Sequence, residues 1–213
     1  MAELGRCQSS HVLNVATPLL GVEGATRRRA VFLDRDGVIN EDLGYVSRIG
    51  DFRLLDSVVE SLQALQENGF ALVVITNQSG IGRGFYTEAD YEALTSAYME
   101  RLSAAGVILT AVLHCPHQPA DNCHCRKPRP GMLVEAARCW NLDLHSSYLV
   151  GDKQSDIDAG MTAGLRACVR VLDHGAAQST CAYSLREAVG VIQRLDGSAV
   201  TLNELPLAPI GTP

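Results

Sequence analysis

Two carboxylates, Asp34 and Asp36, stand directly behind the apolar run Ala30-Val31-Phe32-Leu33 and directly before Gly37. Residues two apart on an extended chain point the same way, so both acids can address one site. Held so close they repel each other, and a cation or a shared proton must compensate. A hard divalent ion, most simply Mg2+, suits carboxylate oxygens and leaves room for a substrate phosphate. An Asp-x-Asp alone also fits a solvated loop. The apolar run turns the reading towards a site, because such a run, stopped abruptly, reads as a buried parallel strand. In open α/β sheets ligands bind just beyond the carboxyl ends of such strands, and Gly37 lets the backbone turn there.

Three later stretches end the same way. Phe70 to Ile75 is apolar and stops at Thr76-Asn77-Gln78-Ser79-Gly80; Ser147 to Val150 stops at Gly151-Asp152-Lys153, with Asp156 close behind; and Val107 to His114 leads into a segment that reaches Lys127. Alone, Thr76 reads as a strand-end hydroxyl capping a loop and Lys127 as a solvated surface lysine. The segment before Lys127 carries Cys115-Pro-His117 and Cys123-His-Cys125, five residues apart. Three thiols and an imidazole match the ligand types of a tetrahedral zinc, though the spacing is not the usual Cys-x2-Cys. Free thiols, or competition from His114 and His124, stay open on spacing alone.

The elements that must position these groups alternate. After the first strand, Asn40 to Asp56 reads as loop. A helix opens at Ser57, with Val58, Leu62 and Leu65 on one face, and closes at Gly69. Ile81 to Gly84 is glycine-rich and expected to be mobile. Thr87 with Asp90 resembles a capping box, and Tyr91, Leu94, Tyr98 and Leu102 form a stripe expected to pack in the core. Pro130 is expected in the first turn of a helix running to about Trp140. A helix to about Ala163, a strand from Ala167 to Leu172 and a helix from Ser184 to Leu195 follow. The order βαβαβαβαβ predicts one doubly wound α/β domain, Rossmann-like, with a mostly parallel sheet.

The 213 residues, 46% hydrophobic, suit one such domain. A net charge of −6 argues against a nucleic-acid surface, and no apolar run approaches the ~20 residues that span a bilayer. Crowding of three of the seven cysteines between Cys115 and Cys125 reads as metal binding in a reducing compartment, the cytoplasm by default. Cys7, Cys139, Cys168 and Cys181 read as small apolar residues or bystanders. Residues 1–28 are expected to be a flexible extension: Arg27-Arg28-Arg29 follows the apolar stretch, whereas a signal peptide puts its charge first. Residues 29–197 would be the domain, 198–213 a polar tail, and the protein a monomer.

Taken in order, Asp34-Arg35-Asp36, Thr76, Lys127 and Asp152, with Asp156, resemble the four motifs of the haloacid dehalogenase superfamily of aspartyl phosphotransferases, over roughly Ala30 to Leu172. Asp42-Leu-Gly-Tyr-Val46, Thr76 to Gly84, Cys115-Pro-His117, Cys125 to Met132 and Gly151-Asp-Lys153 look most like its heptose 1,7-bisphosphate phosphatases. The resemblance implies a capless domain, Asp34 as nucleophile and Asp36 as the acid that protonates the leaving oxygen and later activates water. It implies Mg2+ on Asp34, the carbonyl of Asp36 and Asp152, with Thr76 and Lys127 on the phosphoryl group. Asp42, Leu43, Gly44, Tyr45, Asn77, Gln78, Ser79 and Lys153 would contact a phosphosugar. The planar fork of Arg126 suits a second, non-reacting phosphate. Cys115, His117, Cys123 and Cys125 would hold a structural zinc.

The short loop between the Cys/His pairs departs from many heptose phosphatases and is closer to histidinol-phosphate phosphatases, the near neighbours. A nucleic-acid 3′-phosphatase fits the Asp-x-Asp chemistry but not the acidic chain. A non-catalytic phosphosugar-binding zinc protein is a further alternative, opposed by the intact Asp34, Asp36, Lys127 and Asp152.

Overall fold

The computed structural model describes residues 11–14, 26–172 and 180–197. The apolar runs form the centre of a seven-stranded sheet: β1 (His11–Asn14), β2 (Ala30–Leu33), β3 (Ala71–Asn77), β4 (Ala111–Cys115), β5 (Tyr148–Gly151), β6 (Ala167–Val171) and β7 (Cys181–Ala182). The spatial order is β1-β4-β3-β2-β5-β6-β7. All neighbours pair parallel except β1, which runs antiparallel to β4. The chain leaves β2 towards β3 and β4 on one side and returns as β5 on the other. That reversal opens a crevice at the carboxyl end of β2, where Asp34 lies.

Helices α1 (Val58–Glu67), the one-turn α2 (Ser79–Gly82), α3 (Glu88–Ala104), α4 (Gly131–Trp140), α5 (Gln154–Ala163) and α6 (Leu185–Asp196) complete the domain. Alternate strand residues face opposite layers. Val31, Leu33, Leu72, Val74 and Val150 pack with Leu62, Leu65, Leu94, Tyr98 and Ile192 of α1, α3 and α6. Ala30, Phe32, Val73, Ile75 and Leu149 pack with Met132, Leu133, Ala136, Trp140 and Ala159 of α4 and α5. β2 is buried on both faces, each residue at 0% exposure. This is why its sequence is unbroken apolar rather than alternating.

The Tyr91, Leu94, Tyr98 and Leu102 stripe is buried, and α3 carries the expected capping box, with Thr87 Oγ1 accepting from Asp90 N and Asp90 Oδ2 from Thr87 N. Several details differ from the sequence reading. Among the described residues seven strands are present where five were expected. The additions, β1 and the two-residue β7, are edge strands whose short or mixed sequences carry little periodic signal. Pro130 is the N-cap of α4 rather than a first-turn residue. Of the segment Ile81 to Gly84, read as mobile, Ile81 and Gly82 close the helical turn 79–82 and Arg83 caps it; Gly80 and Gly82 let that turn sit against Tyr86 and the carbonyl of Pro116. Cys139, on α4, is buried, in line with its reading as a small apolar residue. The rest of the expected 1–28 extension, and the expected 198–213 tail, lie outside the described residues.

Candidate active site

Asp34 follows the last residue of β2, and its backbone N–H donates to Val150 O at 2.9 Å, tying it to β5. Its Oδ1 accepts from Arg35 N at 2.8 Å and pairs with Lys127 Nζ at 2.9 Å. Lys127 Nζ also reaches Asp156 Oδ1 at 2.6 Å and donates to Ile75 O at 2.9 Å. All three charged groups are buried. Burial opposes the charge of Lys127, but Asp34 and Asp156 more than offset it and raise its pKa. The ammonium therefore joins the ends of β2, β3 and the start of α5 at one point.

Asp152 stands across from this pair, just past β5. Carboxylate oxygens of Asp34, Asp152 and Asp156 lie within 4.8 Å of one another. Three acids against one buried lysine leave uncompensated negative charge. Accordingly, burial and then the charge of Asp34 push the Asp152 carboxyl up to about 7. Asp152 Oδ1 is buried with no hydrogen-bond partner among the described residues. A hard cation would satisfy both the charge and the orphaned oxygen, so the donor set fits Mg2+. Gly37 makes the approach possible: at φ 82° it turns the chain, and a Cβ there would fall 2.7 Å from Asp152 Oδ2.

The Asp36 carboxylate is directed elsewhere. Oδ1 accepts from Arg35 Nε at 3.2 Å, Arg35 Nη2 at 2.8 Å and Asn40 Nδ2 at 3.0 Å. Oδ2 accepts from Arg35 Nη2 and Gln78 Nε2, both at 3.0 Å. The same Gln78 amide donates to Thr76 Oγ1 at 2.8 Å, and its Oε1 accepts from Tyr86 O–H at 2.6 Å. Burial pushes the Tyr86 phenol up to about 12, so it stays a donor. Asn77 makes a reciprocal pair with the backbone of Lys127, at 3.1 Å in each direction. Asn77 and Gln78, read as substrate contacts, thus hold Lys127, Thr76 and Asp36 in place. Ser79 is half-buried at the start of α2.

The other expected substrate contacts form the rim. Lys153 Nζ lies 3.0 Å from Asp42 Oδ2 and 3.5 Å from Asp152 Oδ2, which links the Asp42 loop to the acidic centre. Gly44 N donates to Asp42 Oδ1 at 3.1 Å. Leu43 and Tyr45 are exposed, and the Tyr45 ring meets Phe85 edge-on at 4.8 Å. Arg126 is half-buried, with Nη1 donating to His117 O at 3.1 Å. It lines a cleft of about 240 Å³ with Lys127 and Cys123. A cavity of about 700 Å³ opens beside Gly37, Asp42 and Asp152 and runs towards Arg170 and Tyr183, meeting the acidic centre at Asp152.

Beyond the centre, β4 ends in Cys115. Cys115 Sγ and Cys125 Sγ each lie 3.5 Å from Cys123 Sγ, and His117 Nδ1 lies 3.6 and 3.4 Å from Cys115 and Cys125. Ligands around a tetrahedral zinc with bonds of about 2.0–2.3 Å stand roughly 3.5–3.8 Å apart. Four of the six distances among these atoms are 3.4–3.6 Å, close to that spacing, and all lie within 4.8 Å. Hydrogen bonds from its neighbours hold the Cys125 thiol down to about 5 while Cys115 is pushed up. A divalent ion would stabilise further thiolate character in the cluster. His114, one residue earlier on β4, pairs with Glu88 at 2.5 Å and lies against Tyr91, while His124 is exposed; neither joins the cluster. Two buried residues were passed over as functional: Arg35, which reads as the spacer of the Asp-x-Asp after β2, and Tyr86, which follows no strand; both became visible only through the partners they hold.

Comparison with known proteins agrees with this geometry. The HAD-hydrolase-like family model matches residues 124–187. A Photorhabdus laumondii D-glycero-alpha-D-manno-heptose-1,7-bisphosphate 7-phosphatase is 42% identical over 150 residues, 67% of this chain and 82% of the relative. The Escherichia coli K12 D-glycero-beta-D-manno-heptose-1,7-bisphosphate 7-phosphatase is 45% identical over 149 residues, 67% and 78%. The chain belongs to the phosphatases of the haloacid dehalogenase superfamily. Among solved structures, the D,D-heptose 1,7-bisphosphate phosphatase of B. bronchiseptica, complexed with magnesium and phosphate, superposes with a TM-score of 0.68 at 30% identity, covering 80% of this chain and 99% of that one. As a phosphatase of this superfamily the chain is a phosphomonoester hydrolase with an aspartate nucleophile. Among the described residues no helix is long and apolar enough to cross a membrane.

Proposed function

We propose that this phosphatase removes one phosphate, the 7-phosphate, from D-glycero-D-manno-heptose 1,7-bisphosphate through a phosphoaspartyl intermediate, in heptose-nucleotide biosynthesis. The observation that carries the reading is the anchoring of Asp34 against Lys127 and Asp156 at the β2 crevice, in a chain more than 40% identical to phosphatases of that name.

Asp34 Oδ1 is fixed by Lys127 and the Arg35 N–H, so Oδ2 is the oxygen that attacks phosphorus. As the Asp34–phosphorus bond forms, the bond to the sugar oxygen breaks and Asp36 gives that oxygen its proton. Thr76 Oγ1, the N–H groups after it and Lys127 Nζ stabilise charge on the phosphoryl oxygens. Water then attacks the acyl phosphate, Asp36 takes its proton, and phosphate leaves with Asp34 restored. Asp34, the Asp36 carbonyl and Asp152 would hold Mg2+, which supplies charge neutralisation for the phosphoryl group. Cys115, His117, Cys123 and Cys125 would hold zinc in a structural role, fixing the loop that presents Arg126 and Lys127. Arg126 takes the distal phosphate, and Asp42, Leu43, Gly44, Tyr45, Ser79 and Lys153 take the sugar.

Phosphate release from the heptose bisphosphate anomers and from histidinol phosphate, at matched concentrations with Mg2+, tests the assignment. A higher kcat/KM on a heptose bisphosphate, lost in Asp34→Asn, is expected. Preference for histidinol phosphate would replace the substrate assignment; it is the outcome that the short Cys/His loop favours.

A further inference from the structure

Asp36 is held from one side by a residue whose side chain the reaction above does not use. Arg35 is fully buried at 0% exposure, and taking a guanidinium out of water is costly unless its partners are well placed. The partners are Asp36 and the carbonyl of Val46, which accepts from Nη2 at 3.0 Å. Oδ1 of Asp36 carries the main load, with three contacts from Arg35 and Asn40. Oδ2 accepts from Arg35 Nη2 and from the Gln78 amide, both at 3.0 Å, and that amide also reaches Thr76. Oδ1 is the main anchor, and Oδ2, with one contact from Arg35, is the oxygen on the Thr76 side.

Arg35 in turn rests on α3. Its guanidinium carbon lies 5.8 Å from the centroid of the Tyr91 ring. Tyr91, Thr95 and Tyr98, spaced four and three residues apart on one helix face, are each fully buried at 0% exposure. They set a row of hydroxyls in the core near Arg35. Asp36, Arg35 and α3 thus form a stack from the crevice down into the first core layer.

We infer that Arg35, braced on α3, is a positioning residue for proton transfer: it fixes Asp36 by Oδ1 so that Oδ2 meets the leaving oxygen. The inference rests on the reading of Asp36 as the proton donor. In that step the proton passes from Asp36 Oδ2 to the sugar oxygen while the phosphorus–oxygen bond breaks and the Asp34–phosphorus bond forms, leaving Asp36 as a carboxylate.

Leaving-group dependence separates this role from a merely structural one. p-Nitrophenolate leaves without a proton, whereas an unactivated alkoxide needs one. The parameter kcat/KM reports steps up to phosphoryl transfer and excludes the later hydrolysis. Arg35→Met and Arg35→Lys are therefore compared with the unaltered enzyme on p-nitrophenyl phosphate and on a primary alkyl phosphate. We expect losses on the order of 100-fold or more on the alkyl phosphate and under about 10-fold on p-nitrophenyl phosphate, general acid catalysis being worth roughly 10²–10⁴. Equal losses on both substrates overturn the inference and make Arg35 a core residue only. Arg35→Lys keeps the buried charge without the fork and carries the comparison if Arg35→Met does not fold. Asp36→Asn on the same pair isolates the premise. If it shows the split and the Arg35 variants do not, the inference alone falls; if it shows none, Asp36 is not the donor and both fall.

Discussion

Lys127 shows how a single residue can serve chemistry and architecture together. Its ammonium balances Asp34 and Asp156 in a setting from which water is excluded. Truncating one member of such a group costs about 3–5 kcal/mol, because the remaining charges stay buried without a partner. Lys127→Met is therefore expected to lose phosphatase activity and to lower the thermal midpoint. Adding Asp156→Asn should restore much of the midpoint but none of the activity, as differential scanning calorimetry beside a phosphate-release assay would show. Cys168 gives a pH-dependent counterpart. Burial, and then the charge of Asp156, push its thiol up to about 11. Because only the thiolate is nucleophilic, its alkylation by iodoacetamide at pH 8 should run about 100-fold slower than that of an ordinary thiol. The rate should climb towards pH 11, followed peptide by peptide by mass spectrometry.

At the scale of elements, the short glycine-bearing segments set the tolerances. In α2 a Cβ at Gly80 would collide with the Tyr86 ring, the group that orients Gln78. Gly80→Ala is expected to lower kcat by about 10- to 100-fold with little change in KM, since small displacements near reacting groups are costly. Steady-state kinetics would decide, and an unchanged kcat would remove Tyr86 from the site's support. The loop from Cys115 to Arg126 should behave differently. Cys123→Ser is expected to reduce bound zinc, measured by elemental analysis. Because it loosens Arg126 more than Asp34, it should raise KM for a bisphosphate more than it lowers kcat.

At the scale of the molecule, the two layers of core share one sheet and should melt together. Trp140 is the single tryptophan and is 1% exposed between α4 and the sheet. Its fluorescence and the activity should be lost at the same urea concentration if the domain is one cooperative unit. Leu62→Ala, in the opposite layer, should cost about 2–5 kcal/mol and shift both curves equally. The sequence made the frame legible because parallel strands buried on both faces are unbroken apolar runs, and their ends are where Asp34, Asp36, Thr76 and Asp152 stand. The Cys/His set was legible for the same reason, as reactive types at close spacing. What stayed hidden depends on side chains meeting across the fold. Arg35 looks like a spacer between two acids until it is seen buried on α3. Asn77 and Gln78 read as ligand contacts, and only the fold shows that their amides also bind Lys127, Thr76 and Asp36. The edge strand β7 escaped because two residues show no period, and β1 because His11 and Asn14 flank its only apolar pair, Val12 and Leu13.

The Gln78 side chain carries one more consequence. An amide is nearly symmetric in shape, so a half-turn would exchange its oxygen and nitrogen without disturbing the packing. Asp36 and Thr76 both sit against its nitrogen, but Thr76 can either give or receive a proton and so does not settle the choice by itself. The Tyr86 hydroxyl, raised well out of the range in which it could ionise, biases the choice by offering a hydrogen to the oxygen. One hydrogen atom eight residues along the chain thereby helps set the polarity of the wall facing the phosphoryl group. Exchanging Tyr86 for phenylalanine would preserve every carbon of that wall and weaken its sense of direction.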